Sequence, residues 1–217
     1  MRRIGGRIAQ AVSGDGRLVT IDEGYIKYQS FWTKAPVPYP AVTEELEIWR
    51  RPLHAAGLIG YYEEHGVGYG NISMRCGEPG QFLISGTQTG HVETTDKTHY
   101  ALVTSYGIHF NRVCCVGPVQ ASSEAMTHAA IYELDGNIGA IVHVHNQDLW
   151  RDLIDKLPTT AADVAYGTPQ MANEFRRLFR DTEFRRTGLA VMAGHEEGIL
   201  SFGTSLEEAT NKVLDLL

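Results

Sequence analysis

The segment that most constrains the fold of this 217-residue chain is residues 138–145, with the sequence IGAIVHVH. Its run of small and β-branched apolar residues predicts a strand that is buried on both faces. Side chains alternate along a strand, so His143 and His145 project from the same face. Two imidazoles on one face can converge on one divalent metal ion, and buried imidazoles need a partner. The alternative is that the two rings lie on an exposed strand face and have no functional role.

A catalytic zinc site normally takes three protein ligands and keeps one position open, so the pair needs a third ligand. The candidates are the other seven histidines of the chain, which are His54, His65, His91, His99, His109, His128 and His195. We favour His195 because it follows a predicted strand in a glycine-flanked turn, where functional side chains are common. The residues alone leave the other six open.

The composition indicates one globular domain and excludes several classes of protein. About 200 residues can enclose a single sizeable core, and 43% of the residues here are hydrophobic. With 26 acidic and 19 basic residues the net charge is −7, whereas a nucleic-acid binder needs a basic face. No stretch approaches the roughly 18 apolar residues of a membrane helix. Gly5, Gly6 and Gln10 interrupt any signal-peptide core, and three cysteines suit a reducing compartment, so we expect a cytoplasmic protein.

The order of predicted elements is a helix, several consecutive strands, and then alternating helices and strands. Consecutive strands favour a sheet with much antiparallel pairing that helices cover. The predicted strands are residues 69–75, 81–85, 100–106, 112–116, 138–145, 189–192 and 199–202. The predicted helices are residues 43–56, 123–134, 169–180 and a C-terminal helix capped by Ser205. Residues 1–40, which end in a Pro-rich stretch, are expected to form an arm before a domain at 41–217.

Three further segments carry groups that can bind an anion or move a proton. Residues 121–124, ASSE, open a predicted helix, where hydroxyls and backbone N–H groups can hold a phosphate, although serine is also an ordinary N-cap. The helix macrodipole stabilises a negative charge such as that of Glu124 in the first helical turn, and the same carboxylate could serve as a base beside a metal. The turns at 68–73 and 84–90 can offer backbone N–H groups to an anion, or be ordinary turns. Neither turn matches a Walker loop or a dinucleotide fingerprint.

Together and in this order, these segments resemble the class II aldolase/adducin family over about four-fifths of the chain. The motifs that carry the resemblance are GNISMR at 70–75, SGTQTG at 85–90, SSE at 122–124 with HAAIY at 128–132, HVH at 143–145, YGT at 166–168, and His195 ahead of GTSLEEA at 203–209. The resemblance implies an α/β protein with a three-layer α/β/α fold around a central, mostly antiparallel, nine-stranded sheet. It also implies a homotetramer with sites between subunits. The acidic composition and the lack of a long apolar stretch already indicate neither a nucleic-acid nor a membrane partner.

The resemblance also implies roles for individual residues. His143, His145 and His195 would be ligands of Zn²⁺ or another divalent metal, and Glu124 would be the acid/base. The residues that would hold the phosphate of a small-molecule substrate are Asn71, Ser85, Thr89, Gly90, Ser122 and Ser123. Zinc would act as a Lewis acid that stabilises an enediolate, formed when a carbon–carbon bond breaks or a proton leaves. Glu124 would shuttle the proton.

The chain departs from the family pattern at two places. Glu196 and Glu197 follow His195, which adds two carboxylates near the third ligand. The family aldolases carry, after the second histidine, a tyrosine that donates a proton in a neighbouring subunit's site, but the 20 residues between His145 and Tyr166 contain none. That donor is therefore missing, replaced or supplied elsewhere. The predicted arm offers three tyrosines, which are Tyr25, Tyr28 and Tyr39.

The predicted function is that of a zinc-dependent aldolase-like lyase acting on a small phosphorylated sugar or a related hydroxy-carbonyl compound. A sugar-phosphate 4-epimerase or a dehydratase would use the same enediolate chemistry. A zinc hydrolase is a further alternative, since zinc beside a glutamate can also activate water. A non-catalytic adducin-like domain is the last alternative, and the three histidines argue against it because adducin-like relatives lack them.

Overall fold

The structure, a computed structural model, describes residues 10–12, 18–20 and 24–217. Its strands are β1 (Gln10–Val12), β2 (Leu18–Thr20), β3 (Gln29–Lys34), β4 (Gly60–Tyr62), β5 (Val67–Tyr69), β6 (Asn71–Arg75), β7 (Phe82–Ser85), β8 (Tyr100–Gly107), β9 (Arg112–Gly117), β10 (Ala140–His145), β11 (Leu189–Val191) and β12 (Gly198–Gly203). Its α-helices are α1 (Pro40–Ala55), α2 (Ala125–Tyr132), α3 (Gln147–Leu153), α4 (Pro169–Asp181), α5 (Phe184–Thr187) and α6 (Leu206–Leu214). Short 3₁₀ helices, Lys97–His99 and Ile108–Phe110, flank β8.

One large sheet organises the described part of the chain, in the spatial order β11-β12-β10-β6-β7-β8-β9-β3. Neighbouring strands are antiparallel except for β3 and β9, which are parallel. The predicted α/β class with a mostly antiparallel sheet is confirmed. The large sheet has eight strands among the described residues, where nine were predicted, and β4 with β5 forms a separate two-stranded sheet.

Gly70 is the reason that one predicted strand contributes to two sheets. The sequence predicts a single strand over 69–75, but Gly70 has a φ of 73°, in the left-handed region that favours glycine. A Cβ atom at this position would also lie 3.0 Å from the carbonyl oxygen of Leu58. The chain therefore turns at Gly70, so that β5 before it pairs with β4 and β6 after it pairs with β10 and β7.

Helices cover both faces of the large sheet and make three layers. Val142 and Val144 of β10 point into one core, which α1 and α6 close with residues such as Leu46 and Val213. Ile141 points the other way, into a core that α2 and α4 close. Because side chains alternate along a strand, the two histidines of β10 lie on the face that α2 covers. The predicted burial of this strand on both faces is confirmed.

Two helix starts form as the sequence predicts. The Thr168 hydroxyl accepts a hydrogen bond from the Met171 N–H at 3.2 Å, and α4 has proline at its first position. The Ser205 hydroxyl accepts from the Glu208 N–H, also at 3.2 Å, at the start of α6. These caps satisfy N–H groups that have no partner inside the helix.

Part of the predicted arm belongs to the large sheet. β3 lies along β9 at the sheet edge, in a register that pairs Gln29 with Arg112 and Lys34 with Gly117. The Trp32 indole N–H also donates to the Gly117 carbonyl at 2.9 Å. Residues 1–9, 13–17 and 21–23 of the predicted arm lie outside the described residues. The predicted boundary at residue 40 stays a prediction. In the described part of the chain, no helix has both the length and the hydropathy needed to cross a bilayer.

Candidate functional site

Two strands and one turn bring three histidines together. In the register of β10 and β12, His143 lies opposite Leu200 and His145 lies opposite Gly198. The turn before β12 is closed by hydrogen bonds from the His195 N–H to the Met192 carbonyl and from the Gly198 N–H to the His195 carbonyl. This turn folds the ring of His195 back over the end of β10.

The three imidazoles form a compact and buried group. One ring nitrogen from each of His143, His145 and His195 lies within 4.8 Å of the others, and the ring centroids are 4.7 to 5.0 Å apart. None of the three residues is more than 5% exposed. Within the described residues no other group of histidine, cysteine and carboxylate side chains has this metal-like arrangement. The predicted third position at His195, rather than at one of the other six histidines, agrees with this geometry.

The ring nitrogens of His143 and His145 fit a cation between them. The Nδ1 atom of His143 lies 3.2 Å from the Ile199 carbonyl oxygen, and the Nδ1 atom of His145 lies 3.1 Å from the Tyr62 hydroxyl oxygen. With protons on both Nδ1 atoms, the two Nε2 lone pairs face each other across 3.1 Å. Burial lowers the pKa of His145 well below its usual value, and the other two imidazoles lower it further. Neutral imidazoles with converging lone pairs are suitable ligands for a divalent metal.

Glu124 is a buried carboxylate beside these rings. It stands at the N-cap position of α2, where its side chain makes no capping hydrogen bond, and it is 1% exposed. Its Oε1 atom lies 3.2 Å from Nδ1 of His195. Burial raises the pKa of Glu124, but hydrogen bonding to His195 and the positive charge that His143 and His195 carry when protonated outweigh burial and lower the pKa to about 2. A buried carboxylate in this state suits a site that holds a positive ion.

A polar cavity adjoins the histidine group. Its wall includes five of the six residues predicted to hold a phosphate, which are Asn71, Thr89, Gly90, Ser122 and Ser123. Asn71 lies opposite His143 in the register of β6 and β10, and its buried Oδ1 atom accepts no hydrogen bond from the described residues. The sixth predicted residue, Ser85, is not in the wall, and its hydroxyl accepts from the Ile72 N–H at 3.1 Å.

Two of the three arm tyrosines pack against the site. The Tyr28 hydroxyl donates to the Ser122 carbonyl at 2.8 Å. The backbone of Tyr25 exchanges hydrogen bonds with the Tyr166 hydroxyl, and the ring of Tyr166 stacks on His195 with centroids 4.4 Å apart. Tyr39 is 44% exposed, and its ring approaches the β6–β7 turn instead.

The sequence analysis missed an arginine that supports the cavity wall. The guanidinium of Arg50 is buried and donates to the carbonyl oxygens of Thr89, Gly90, Val92 and Glu93. Arg50 lies on the apolar face of α1, four residues after Leu46 and three before Leu53, and this position was the available signal. A charged residue in the middle of an apolar stripe is buried only with partners.

Comparison with known proteins gives the family. The model of the family described as "Class II Aldolase and Adducin N-terminal domain" matches residues 54–216, which is most of the chain. This protein therefore belongs to the class II aldolase and adducin family. The comparison with curated proteins gives no match.

Solved structures with the same fold include aldolases and one protein of less certain activity. YgbL from Klebsiella pneumoniae, a putative aldolase/epimerase/decarboxylase, is 21% identical, with 81% of this chain and 84% of that chain covered and a TM-score of 0.59. L-fuculose-1-phosphate aldolase from Thermus thermophilus is 20% identical, with 78% and 86% covered and a TM-score of 0.58. A sugar-phosphate aldolase from Thermotoga maritima is 17% identical, with 81% and 91% covered and a TM-score of 0.61. At these identities the likeness shows the fold.

Proposed function

We propose that this protein is a divalent-metal-dependent lyase of the class II aldolase type. Its substrate would be a small phosphorylated sugar or a related hydroxy-carbonyl compound, and Zn²⁺ is the expected metal. The observation that carries the proposal is the convergence of three buried imidazoles beside a buried carboxylate and a polar cavity. The named activities of the structural neighbours, which include two aldolases of sugar phosphates, support the same substrate class.

The histidines would supply the metal site. His143, His145 and His195 offer three nitrogen ligands, which is the usual number for a catalytic zinc site that keeps a position open for substrate. A divalent cation held there would polarise the carbonyl and neighbouring hydroxyl oxygens of the substrate as a Lewis acid.

The polar cavity would hold the phosphate and orient the substrate. Asn71, Thr89, Gly90, Ser122 and Ser123 line it, and they carry a side-chain amide, hydroxyls and backbone N–H groups. These groups can donate hydrogen bonds to phosphate oxygens. Because Asn71 and His143 face each other across neighbouring strands, a phosphate in the cavity would fix the reacting carbons near the imidazoles.

Glu124 would move the proton. It is buried beside the histidine group, with its Oε1 atom 3.2 Å from Nδ1 of His195. A carboxylate so placed can accept a proton from the carbon next to the carbonyl and return it in the reverse reaction.

The metal site is tested first by metal content. The protein, purified without chelator, should carry about one divalent ion per chain by elemental analysis, the stoichiometry of a three-histidine site. His143→Ala should lose that ion. His109→Ala, which changes an exposed histidine on the 3₁₀ helix after β8, is the matched control and should keep it. Wild-type protein without metal would overturn the proposal.

The chemistry is tested by proton exchange and product analysis. Ketose 1-phosphates are incubated with the protein in D₂O, and both deuterium uptake and release of a triose phosphate are measured. Glu124→Gln should keep the metal and abolish the uptake, whereas Glu133→Gln, at the exposed C-terminal end of α2, should change neither. Unchanged uptake in Glu124→Gln would remove Glu124 from the proposed role. An epimer or a dehydrated product would favour the epimerase or dehydratase alternative over the lyase.

The phosphate part of the proposal has its own test. Ser123→Asp would place a negative charge in the cavity wall, which should repel a phosphorylated substrate and raise its KM. Equal activity of this variant would mean that the substrate carries no phosphate.

The assembly and location stay predictions. Four chains of 24.0 kDa give about 96 kDa (4 × 24.0), which light scattering would measure for the expected homotetramer with sites between subunits. A cytoplasmic location would be checked by fractionating cells that express the tagged chain.

A further inference from the structure

Two hydrogen bonds in series connect the Glu197 carboxylate to Nδ1 of His145. The Tyr62 hydroxyl donates to Oε2 of Glu197 at 2.5 Å. Its single proton is committed there, so the contact of 3.1 Å between the Tyr62 oxygen and Nδ1 of His145 is one in which the imidazole donates. The order of groups is therefore Glu197 carboxylate, Tyr62 hydroxyl, His145 imidazole.

These hydrogen bonds reach the nitrogen of the His145 ring that points away from His143. The Nε2 atom of His145 faces Nε2 of His143, toward the centre of the histidine group, whereas Tyr62 contacts Nδ1. Glu197 therefore stands behind a ligand and is not itself placed as one. An acceptor at Nδ1 fixes the tautomer that leaves the Nε2 lone pair available, and a carboxylate behind that acceptor makes the imidazole a stronger donor.

The backbone holds Glu197 in this position at a cost. Its φ is 67°, in the left-handed region that non-glycine residues rarely adopt. Its carbonyl oxygen accepts from the Asn146 N–H at 3.0 Å, directly after β10. A residue in this conformation persists where surrounding contacts over-determine it. The neighbouring Glu196 is exposed, and its Oε1 atom lies 3.5 Å from Nε2 of Gln147.

The position of Tyr62 is fixed by a second aromatic ring. Tyr62 ends β4, and the ring of Tyr69, from β5 of the same hairpin, packs on it with centroids 4.4 Å apart. The ring of Tyr69 also lies 5.5 Å from the ring of His145. The hairpin thus presents Tyr62 to His145, while the turn that carries His195 also carries Glu197.

We infer that Tyr62 and Glu197 are positioning residues that set the tautomer of His145 and lock the turn bearing His195, and thereby raise the affinity of the site for a divalent metal. The inference rests on the metal site of the proposed function but not on the lyase reaction. It assigns different roles to two adjacent carboxylates, because Glu197 supports the ligands and Glu196 faces the surface.

Metal affinity measured without any substrate tests this inference. The full chain is stripped of metal and titrated with Zn²⁺ against a chromophoric chelator, and with Co²⁺ while its visible absorption is recorded. Tyr62→Phe removes the acceptor at Nδ1 and should weaken Zn²⁺ binding on the order of 10- to 100-fold. Glu197→Gln keeps an acceptor for the Tyr62 hydroxyl but removes the charge, so its loss should be smaller. Glu196→Gln is the matched control and should bind as wild type does.

Two readouts separate positioning from a general loss of structure. Since Tyr62 and Glu197 act through one another, the double variant should bind Zn²⁺ no more weakly than Tyr62→Phe alone. The Co²⁺ absorption should change in Tyr62→Phe and stay as in wild type in Glu196→Gln. If Tyr62→Phe does not fold, Glu197→Gln and Glu196→Gln still form the decisive pair.

The outcomes are distinct. Wild-type Zn²⁺ binding with Tyr62→Phe within about twofold of it would overturn the inference and leave the proposed function standing, because the loss predicted for Tyr62→Phe is at least about tenfold. If only the Glu197 pair can be measured, equal binding in Glu197→Gln and Glu196→Gln overturns the inference in the same way. A wild-type chain that binds neither ion would overturn the proposed function, and the inference with it. Equal losses in Glu196→Gln and Glu197→Gln would show a general charge effect and overturn the inference alone.

Discussion

His128 is a buried histidine that should make this protein less stable in acid. It lies on α2 and is fully buried, and its Nδ1 atom is 2.7 Å from the hydroxyl oxygen of Ser73. Burial lowers the pKa of His128 to about 3, although the negative charge of Glu124 opposes that change. The folded protein therefore keeps this imidazole neutral at pH values where the unfolded chain protonates it.

The magnitude follows from the difference between the two states. An unfolded histidine has a pKa of about 6.5, so between about pH 6.5 and pH 3 the unfolded chain binds one more proton at residue 128 than the folded protein does. The free energy of unfolding consequently falls as the pH falls through this window. At about pH 5, about 1.5 units below the unfolded pKa, the loss is about 2 kcal/mol, at about 1.36 kcal/mol per unit. This value needs only a folded pKa well below 5.

The assay is urea unfolding of metal-free protein at about pH 7.5 and about pH 5, for wild type and His128→Asn. The asparagine side chain can still hydrogen-bond the Ser73 hydroxyl, as Nδ1 of His128 does, but it does not titrate. The variant should be less stable at the higher pH, and its loss on acidification should be about 2 kcal/mol smaller. All other groups are the same in both proteins, so the difference in their pH dependence reports residue 128. His109→Asn, an exposed change, should behave as wild type, and equal losses in wild type and His128→Asn would refute the reasoning.

Three further predictions concern stability and metal binding. Gly90→Ala should destabilise the protein by about 1–3 kcal/mol in urea unfolding, because a Cβ atom there would lie 2.0 Å from the Gly60 carbonyl oxygen; unchanged stability would contradict this. Arg50→Met should cost about 3–5 kcal/mol in the same assay, since it removes the buried donor to the carbonyl oxygens of the 89–93 segment and one of the two ion pairs of Glu47. The exposed Arg51→Met should cost less than about 1 kcal/mol. Zn²⁺ at about 100 times its Kd should stabilise the folded protein by about 2.7 kcal/mol, measured as a raised Tm that chelator reverses; an unchanged Tm would count against the site.

Local patterns were enough to predict the elements that carry the site. The alternation along residues 140–145 predicts a strand with both histidines on one face, and the Thr168 and Ser205 caps predict where two helices begin. Each of these signals lies within a few residues, where side-chain direction and N-terminal capping decide the structure. Predicting the group of His143, His145 and His195 required only one long-range assumption, which is that the turn at His195 folds over β10.

The features that sequence could not give depend on distant contacts. β3 lies in the segment that the sequence predicts to be an arm and shows no clear strand pattern there. Its pairing with β9 makes it a strand. The break at Gly70 is decided by the backbone that it approaches at Leu58, which no local pattern reveals. Glu197 was noticed only as a departure from the family pattern, because its role depends on a tyrosine 135 positions away.

The segment 24–28 shows how the site depends on chain outside the family match, which begins at residue 54. Gly24 lines the polar cavity, and Tyr28 holds the Ser122 carbonyl. Tyr25 binds the hydroxyl of Tyr166 through its backbone, and the ring of Tyr166 is the surface on which His195 stacks. Because the ring of Tyr166 stacks on His195, it limits how the His195 ring can rotate. The backbone of Tyr25, which holds the Tyr166 hydroxyl, therefore constrains His195 indirectly. The family-matched strands and turns supply the three histidines, and a segment before them fixes the wall against which His195 and the cavity pack.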